Sequence, residues 1–466
     1  MRNRLIKKAL SIALLLTTFT VTISNTFTKT YAAETTSVST TTSTNETQEL
    51  AWPQAPEISA GNAILIDADT GAILYEKNAY AKCYPASTTK ILTGLLTVEN
   101  CNMDETVTFS SEAANSVTWE DANLATKTGE QYSVEEALYA LLLYSANEVA
   151  YGLAEHVGGS LSNFVEMMNA RAKELGAVNT HFANASGLYN PNHYTTAYDM
   201  AMIAKGCYNN STFVNIDSTY ETYTIGPTNV TNESRSIRHR HLMLKNRELY
   251  YEYCKGGKTG FTDQSGYTLV TFAEKDDMRL ICVCFNCSDA MVRFTDTKSL
   301  FDWGFDNFKK VTTSSDTISS YFSGDSYYHS KVYSNYNHNF NLSASTLTIP
   351  NNANVSDISL IVDDNYNPTD ENGVYTTSIH FKYGSNTVAA SLLTFSKGTP
   401  QTDSRLPFIS ENENDSSVSP KWCFSISIWV IVACFSAIII IIYMIQEHQR
   451  SKRRNMHARR HRRRRY

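Results

Sequence analysis

Pro85-Ala-Ser87-Thr-Thr-Lys90-Ile-Leu-Thr-Gly-Leu-Leu96 is the stretch on which the reading of this chain turns. Ile91, Leu92, Leu95 and Leu96 recur at helical spacing, so a buried helix is expected over about 88–99. Ser87 then stands at the helix start with Lys90 one turn on, a spacing that sets both side chains on one face. The helix N-terminus favours negative charge developing beside Ser87. Burial disfavours a charged amine, which would leave Lys90 neutral and able to take a proton. A capping serine followed by a lysine whose head reaches solvent would give the same letters. Ser-x-x-Lys occurs once among the 466 residues.

Two further motifs lie downstream. Tyr144-Ser145-Ala-Asn147 falls between helical runs expected at Ser133–Leu143 and Asn147–Val157, where a loop can point a hydroxyl and an amide into a cleft; a plain helix cap is the alternative. Lys258-Thr259-Gly260-Phe261-Thr262 precedes a strand expected over Tyr267–Ala273. An extended segment there offers a cation, a hydroxyl and backbone N–H groups to a carboxylate, and Gly260 lets another chain approach its backbone. The same tripeptide occurs at Lys127-Thr128-Gly129, read as a surface loop leading into a helix start.

The formal net charge of −6 hides three unlike regions. Residues 1–33 carry +5, the tail from Gln446 carries +9, and the body between them −20. An acidic body argues against nucleic acid as its partner. Arg2, Arg4, Lys7 and Lys8, the apolar run after them and Thr30-Tyr31-Ala32-Ala33 have the form of a cleavable signal peptide over 1–33. Trp422 to Ile445 is a run of 24 residues without a charge, about 36 Å as a helix and enough for a bilayer core. The arginine-rich 446–466 beyond it places the tail in the cytoplasm and the acidic body outside the cell membrane.

Nine cysteines without regular spacing suggest free, mostly buried thiols. Cys282-Val-Cys284 and Cys287 read as a core strand over Arg279–Asn286, since nothing nearby completes four zinc ligands. No HExxH pattern occurs among the eleven histidines, and no metal site is expected.

Strand and helix patterns mix over 51–311, with a hairpin signal at Asp69-Thr-Gly71 and further helices near 162–175 and 289–305. From about 312 the chain turns rich in Ser, Asn and Tyr and its apolar period becomes two: Ile358, Leu360 and Val362, then Ile379, Phe381 and Tyr383. The expected organisation is signal peptide 1–33, flexible leader 34–50, mixed α/β domain 51–311, small all-β domain 312–397, polar linker 398–421, one transmembrane helix 422–445 and basic tail 446–466.

The order and separation of the three motifs resemble those of the serine D-alanyl-D-alanine carboxypeptidases, the low-molecular-mass penicillin-binding proteins. The likeness covers about residues 52–310 and includes Asp67-Ala-Asp-Thr-Gly71, Asn179-Thr-His-Phe182 and Tyr194-Thr-Thr-Ala-Tyr-Asp199. It implies a β-lactamase/transpeptidase-like fold: an antiparallel sheet with flanking helices and a helical lobe, Ser87 between them. It further implies Ser87 as nucleophile, Lys90 as general base, Ser145 as proton relay and Asn147 as the group that holds Lys90. Lys258, Thr259 and Gly260 would bind substrate, and the backbone N–H groups of Ser87 and Phe261 would form an oxyanion hole. The implied substrate is the peptidoglycan stem pentapeptide, with β-lactams as covalent inhibitors and no cofactor. A β-lactamase or transpeptidase of the same fold, or a non-catalytic wall-binding or β-lactam-sensing membrane protein, are the alternatives. The sequence departs from the family pattern at Glu148-Val, at Ser186-Gly-Leu188 and in its apolar C-terminal run.

Overall fold

The computed structural model describes residues 50–118, 120–313, 339–341, 345–362, 367–368 and 374–396. The expected signal peptide, linker, membrane span and basic tail lie outside the described residues, as does the leader apart from Leu50. Among the described residues no helix is long and apolar enough to cross a membrane.

Apolar runs buried on both faces build the central sheet. Its strands are β1 (Asn62–Asp67), β2 (Ile73–Lys77), β3 (Cys254–Thr262), β4 (Gly266–Lys275) and β5 (Met278–Cys287), in the order β2-β1-β5-β4-β3 with every pair antiparallel. On one face Ile64, Ile66, Val270, Phe272, Ile281, Val283 and Phe285 join the core under the helical lobe. The other parity, Ala63, Leu65, Leu269, Leu280, Cys282 and Cys284, packs beneath the helix Val292–Asn307. Cys282, Cys284 and Cys287 are thus core side chains of a buried strand, and the seven cysteines among the described residues are free thiols.

The helical lobe is inserted between β2 and β3. It holds α1 (Lys90–Asn100), α2 (Val134–Tyr139), α3 (Asn147–Gly158), α4 (Leu161–Glu174), α5 (Ala197–Tyr208) and α6 (Ser211–Asp217). α1 is wholly buried from Lys90 to Thr97, so it is the central strut of the lobe rather than an amphipathic surface helix. The single helix expected over 133–143 is instead α2, with the Ser133–Glu136 capping box, followed by a π-helical turn over Ala140–Tyr144. That turn ends at Ser145 in the left-handed region, φ 69°. Lys127-Thr-Gly129 is followed by a three-residue strand, Gln131–Ser133, before α2 begins, so it does not run directly into a helix start. Lys127 itself is exposed.

The strand Phe308–Thr312 leaves the last helix of the mixed part and pairs with Thr346–Pro350, so the expected boundary at 311/312 falls inside a strand. Ile358–Val362, Val374–Tyr383 and Asn386–Ser396 form an antiparallel sheet with Asn339–Asn341 at its edge. Gly384, at φ +60°, makes the tight turn between Tyr383 and Asn386. Ile379, Phe381 and Tyr383 all face the small core of this part, as the period of two requires.

Candidate active site

Ser87 sits in a one-turn 3₁₀ helix, Ala86–Thr89, that runs into α1. The turn is held from three sides. The Thr88 hydroxyl donates to the Pro85 carbonyl at 2.7 Å, and the Thr268 hydroxyl of β4 donates to the same oxygen at 3.0 Å. Ala86 is forced to φ +50°, a left-handed conformation uncommon for alanine. Gly187, at φ +84°, lets a neighbouring loop cross this point, since a Cβ there would lie 1.9 Å from the Ala86 carbonyl oxygen. Backbone strain held from several sides in this way fixes the direction of the next side chain, Ser87.

Lys90 is completely buried. Its Nζ lies 2.9 Å from Ser87 Oγ, 2.6 Å from Asn147 Oδ1 and 2.6 Å from the Ser186 carbonyl oxygen. Burial pushes its pKa well below the usual lysine value, and the Lys258 and Arg240 cations push it further down. A neutral amine has two N–H donors and one lone pair. The two carbonyl oxygens can only accept, so they take both donors and the lone pair is left to face the Ser87 hydroxyl. The surroundings of Lys90 therefore match the uncharged form of the amine.

The second lysine comes from the opposite wall. Lys258, on β3, is buried, and its Nζ donates to Ser145 Oγ and to the Thr259 carbonyl, each at 2.9 Å. Burial is the first cause that lowers its pKa, to about 7, with Arg240 and Arg293 adding to the fall and Asp217 opposing it. Ser145 owes its direction to the π-helical turn, and Asn147, two residues on, opens α3. The Asn147 N–H donates to the Ala122 carbonyl at 2.8 Å, which ties the segment lining the crevice mouth to the same corner.

β3 approaches the Ser87 turn closely. A Cβ on Gly260 would fall 2.4 Å from Thr268 Oγ1 and 2.8 Å from the Ser87 nitrogen, so only glycine fits. The crevice between turn, lobe and strand has a volume of about 580 Å³, and Ser87, Ser145, Asn147, Thr259, Gly260 and Phe261 all line it. Phe261 is half exposed at its edge, packed on Tyr267 with ring centroids 4.5 Å apart. The structure brings these residues to one crevice: Lys90 contacts Ser87 and Asn147, Lys258 contacts Ser145, and Ser87, Ser145, Asn147 and Thr259 to Phe261 line the space between.

Two arginines of the site were not foreseen. Arg240 lines the crevice, its N–H donating to the Leu143 carbonyl at 3.0 Å and its guanidinium resting 4.5 Å from the Tyr144 ring. Arg293 reaches from the helix Val292–Asn307 to donate to the Gly260 and Thr268 carbonyls at 2.9 and 3.2 Å. Neither stands in a local pattern that spacing could single out; both are brought in by tertiary structure. The Ser186 carbonyl, a backbone group, had no side-chain signal at all.

Relatives carry the same architecture. The chain is similar to D-alanyl-D-alanine carboxypeptidase DacF of Bacillus subtilis (strain 168), 34% identical over 259 residues, which is 54% of this chain and 63% of that protein. It thus spans less than two thirds of the length of that curated relative. Among solved structures it resembles penicillin binding protein 5 from Haemophilus influenzae, with TM-score 0.56, 25% identity and 74% of this chain against 99% of that one. It also resembles the Streptomyces K15 DD-transpeptidase, with TM-score 0.51, 28% identity and 55% of this chain against all of that one. The transpeptidase/β-lactamase-like arrangement of antiparallel sheet and helices is common to them. The family model described as D-alanyl-D-alanine carboxypeptidase matches residues 47–289, just over half of the sequence, and the chain belongs to that family of S11 peptidases.

Proposed function

We propose that the protein is a serine D-alanyl-D-alanine carboxypeptidase that removes the terminal D-alanine from peptidoglycan stem pentapeptides through an acyl-enzyme on Ser87. The observation that carries this reading is the Lys90 amine, whose three neighbours leave its lone pair facing the Ser87 hydroxyl. Lys90 takes the Ser87 proton as the oxygen attacks the carbonyl carbon of the penultimate D-alanine. The Ser87 and Phe261 N–H groups receive the oxyanion, a stabilisation worth roughly 3–4 kcal/mol per donor. The proton returns through Ser145 to the leaving amine nitrogen, and the C–N bond breaks. Lys258 and Thr259 bind the terminal carboxylate, and the second side of Asn147 is turned to the substrate amide. Water then cleaves the ester through the same base, releasing the shortened peptide and regenerating Ser87. β-Lactams, with a strained amide and a carboxylate of the same kind, acylate Ser87.

A second reading, transfer of the acyl group to an amine rather than to water, is supported by the likeness to a structure named as a DD-transpeptidase. The charge pattern of the chain supports a secreted protein held by one C-terminal span, with its basic tail in the cytoplasm and the enzyme on the outer face of the cell membrane. The test is mass spectrometry of the full-length chain with benzylpenicillin and with a D-Ala-D-Ala pentapeptide, beside Ser87→Ala. A penicilloyl adduct on Ser87 and free D-alanine are expected, both lost in the variant. Adduct formation that survives Ser87→Ala would overturn the reading, and ligation to an added amine without net hydrolysis would favour the second one.

A further inference from the structure

Outside the crevice lining, packed against β3, lies a buried carboxyl–imidazole pair that the mechanism above does not use. Asp217 ends α6 and has no exposed surface; His239 is 2% exposed. Asp217 Oδ2 accepts the Gly257 N–H at 2.6 Å, one residue before Lys258. Its Oδ1 makes no hydrogen bond and faces His239 Nε2 at 3.5 Å. His239 Nδ1 accepts the His241 N–H at 3.0 Å, so the ring proton sits on Nε2, toward the carboxylate.

The strand is bent to meet this carboxylate. Its register with β4 slips between Cys254 and Gly256. Gly256 and Gly257 adopt φ +130° and +138°, values that side chains disfavour. A Cβ on Gly256 would lie 2.5 Å from Asp217 Oδ2. Two adjacent glycines inside a strand weaken it, so their presence marks a close approach that the fold requires. The approach sets the Asp217 carboxylate on the backbone N–H of the residue before Lys258. Arg240, from the segment before β3, and Arg293, from the helix Val292–Asn307, disfavour the Lys258 ammonium, whereas Asp217 favours it. Lys90 on α1 and His241 beside Arg240 face the same cation; burial holds both toward neutrality, and Lys258 adds to it.

We propose that the Asp217–His239 pair is a positioning device for Lys258, fixing the strand that carries it and keeping its amine cationic for the substrate carboxylate; this rests on the reading of the site given above. The bulge sets where the amine lies, and the buried carboxylate opposes the two arginines that would strip its proton.

Asp217→Asn in the full-length chain keeps an oxygen to accept the Gly257 N–H, removes the charge and sets its amide NH2 toward His239 Nε2. With a D-Ala-D-Ala peptide, the alkaline fall in kcat/KM is expected to move to lower pH. At pH 8 the loss should be several-fold and lie mainly in KM, and activity should recover toward wild type near pH 6. Asp217→Glu, which restores the charge, should return the alkaline limb toward its wild-type position. Asp217→Ser is a second way to remove the charge and should move the limb in the same direction. A profile of Asp217→Asn that overlays the wild type, or a loss of kcat equal at every pH, overturns the proposal. Failure of both neutral variants to fold, judged by circular dichroism, assigns the pair to folding alone and also overturns it. Absence of D-alanine release by the wild type would instead sink the reading of the site, so the two failures are distinct.

Discussion

Lys258 Nζ lies 2.9 Å from Ser145 Oγ, although 113 residues separate them in the chain. The contact joins the sheet to the helical lobe across the crevice, and it leaves the Ser145 O–H to donate elsewhere. In the proposed reaction the two lysines have opposite assignments: Lys90 must be neutral to accept a proton, whereas Lys258 must be charged to hold a carboxylate. Their different surroundings set this division. Burial and two other cations push Lys90 far down, whereas Asp217 resists the fall of Lys258.

This division predicts the pH profile. Carboxylate binding needs the Lys258 ammonium, so it is present below about 7 and lost as pH rises through that value. Proton abstraction needs the neutral Lys90 amine and is lost as pH falls through its lowered pKa. The kcat/KM of a peptide with a free terminal carboxylate should therefore be bell-shaped with its alkaline limb near pH 7. The same peptide as its methyl ester should react more slowly and lose most of that limb. Equal alkaline limbs for the two substrates would show that Lys258 does not read the carboxylate.

Lys90→Met should reduce the rate of acylation by benzylpenicillin by about 10²–10⁴-fold, the usual contribution of a positioned base. It should also flatten the dependence of stability on pH. In the wild type the folded amine has a lowered pKa, so between that value and about 10.4 the unfolded chain binds more protons and stability rises with pH. Thermal melts from pH 6.5 to 9 should show this rise in the wild type and a smaller one in Lys90→Met. Identical slopes would mean that Lys90 is charged in the folded protein.

Gly260→Ala tests the closeness of β3 to the nucleophile. Its Cβ would meet the Thr268 hydroxyl and the Ser87 nitrogen inside contact distance, so one of them must move. Overpacking of this kind costs about 1–3 kcal/mol of stability. Acylation should fall at least about tenfold, because a displacement near 1 Å at reacting atoms carries costs up to ~10²-fold. Stopped-flow acylation with a fluorescent penicillin, beside a urea melt, reads both effects. Full-rate acylation in a destabilised variant would mean that strand and serine move apart without cost.

The site was legible in the sequence to the extent that its chemistry is local. Ser87 and Lys90 share one turn, and Ser145 and Asn147 share one loop, so spacing alone places each pair. Lys258 was separable from the identical tripeptide at 127 only through the strand pattern on its C-terminal side, and the structure leaves Lys127 exposed while burying Lys258. The strands of the later β part were readable from the period of two, and those of the central sheet from short apolar runs, because the latter are buried on both faces. α5 and α6 are absent from the helices that the sequence suggested: α6 has only seven residues, and the buried face of α5 mixes small and polar residues such as Ala201 and Asp199. The π-helical turn at 140–144 was not visible because one extra residue per turn leaves an apolar run unchanged. Arg240, Arg293 and the Ser186 carbonyl reach the site only through tertiary packing.

The last prediction concerns the junction with the later β part. Thr348 Oγ1 donates to Asp67 Oδ2 at 3.0 Å and lies 2.8 Å from Thr70 Oγ1, all three side chains being buried. Asp67 also accepts the N–H groups of Asp69 and Thr70 at 2.8 and 2.9 Å, so it organises the β1–β2 turn and ties it to the strand Thr346–Pro350. Thr348→Val keeps the shape and removes the hydroxyl, leaving a buried carboxylate oxygen short of a donor, at a cost of about 1–3 kcal/mol. The unfolding midpoint should fall accordingly. Penicillin acylation should keep its wild-type rate, because the contacts that hold Ser87 come from Thr88, Thr268 and the loop at Gly187 rather than from this turn. A variant that loses acylation in proportion to its stability would instead make the β part a structural partner of the crevice itself.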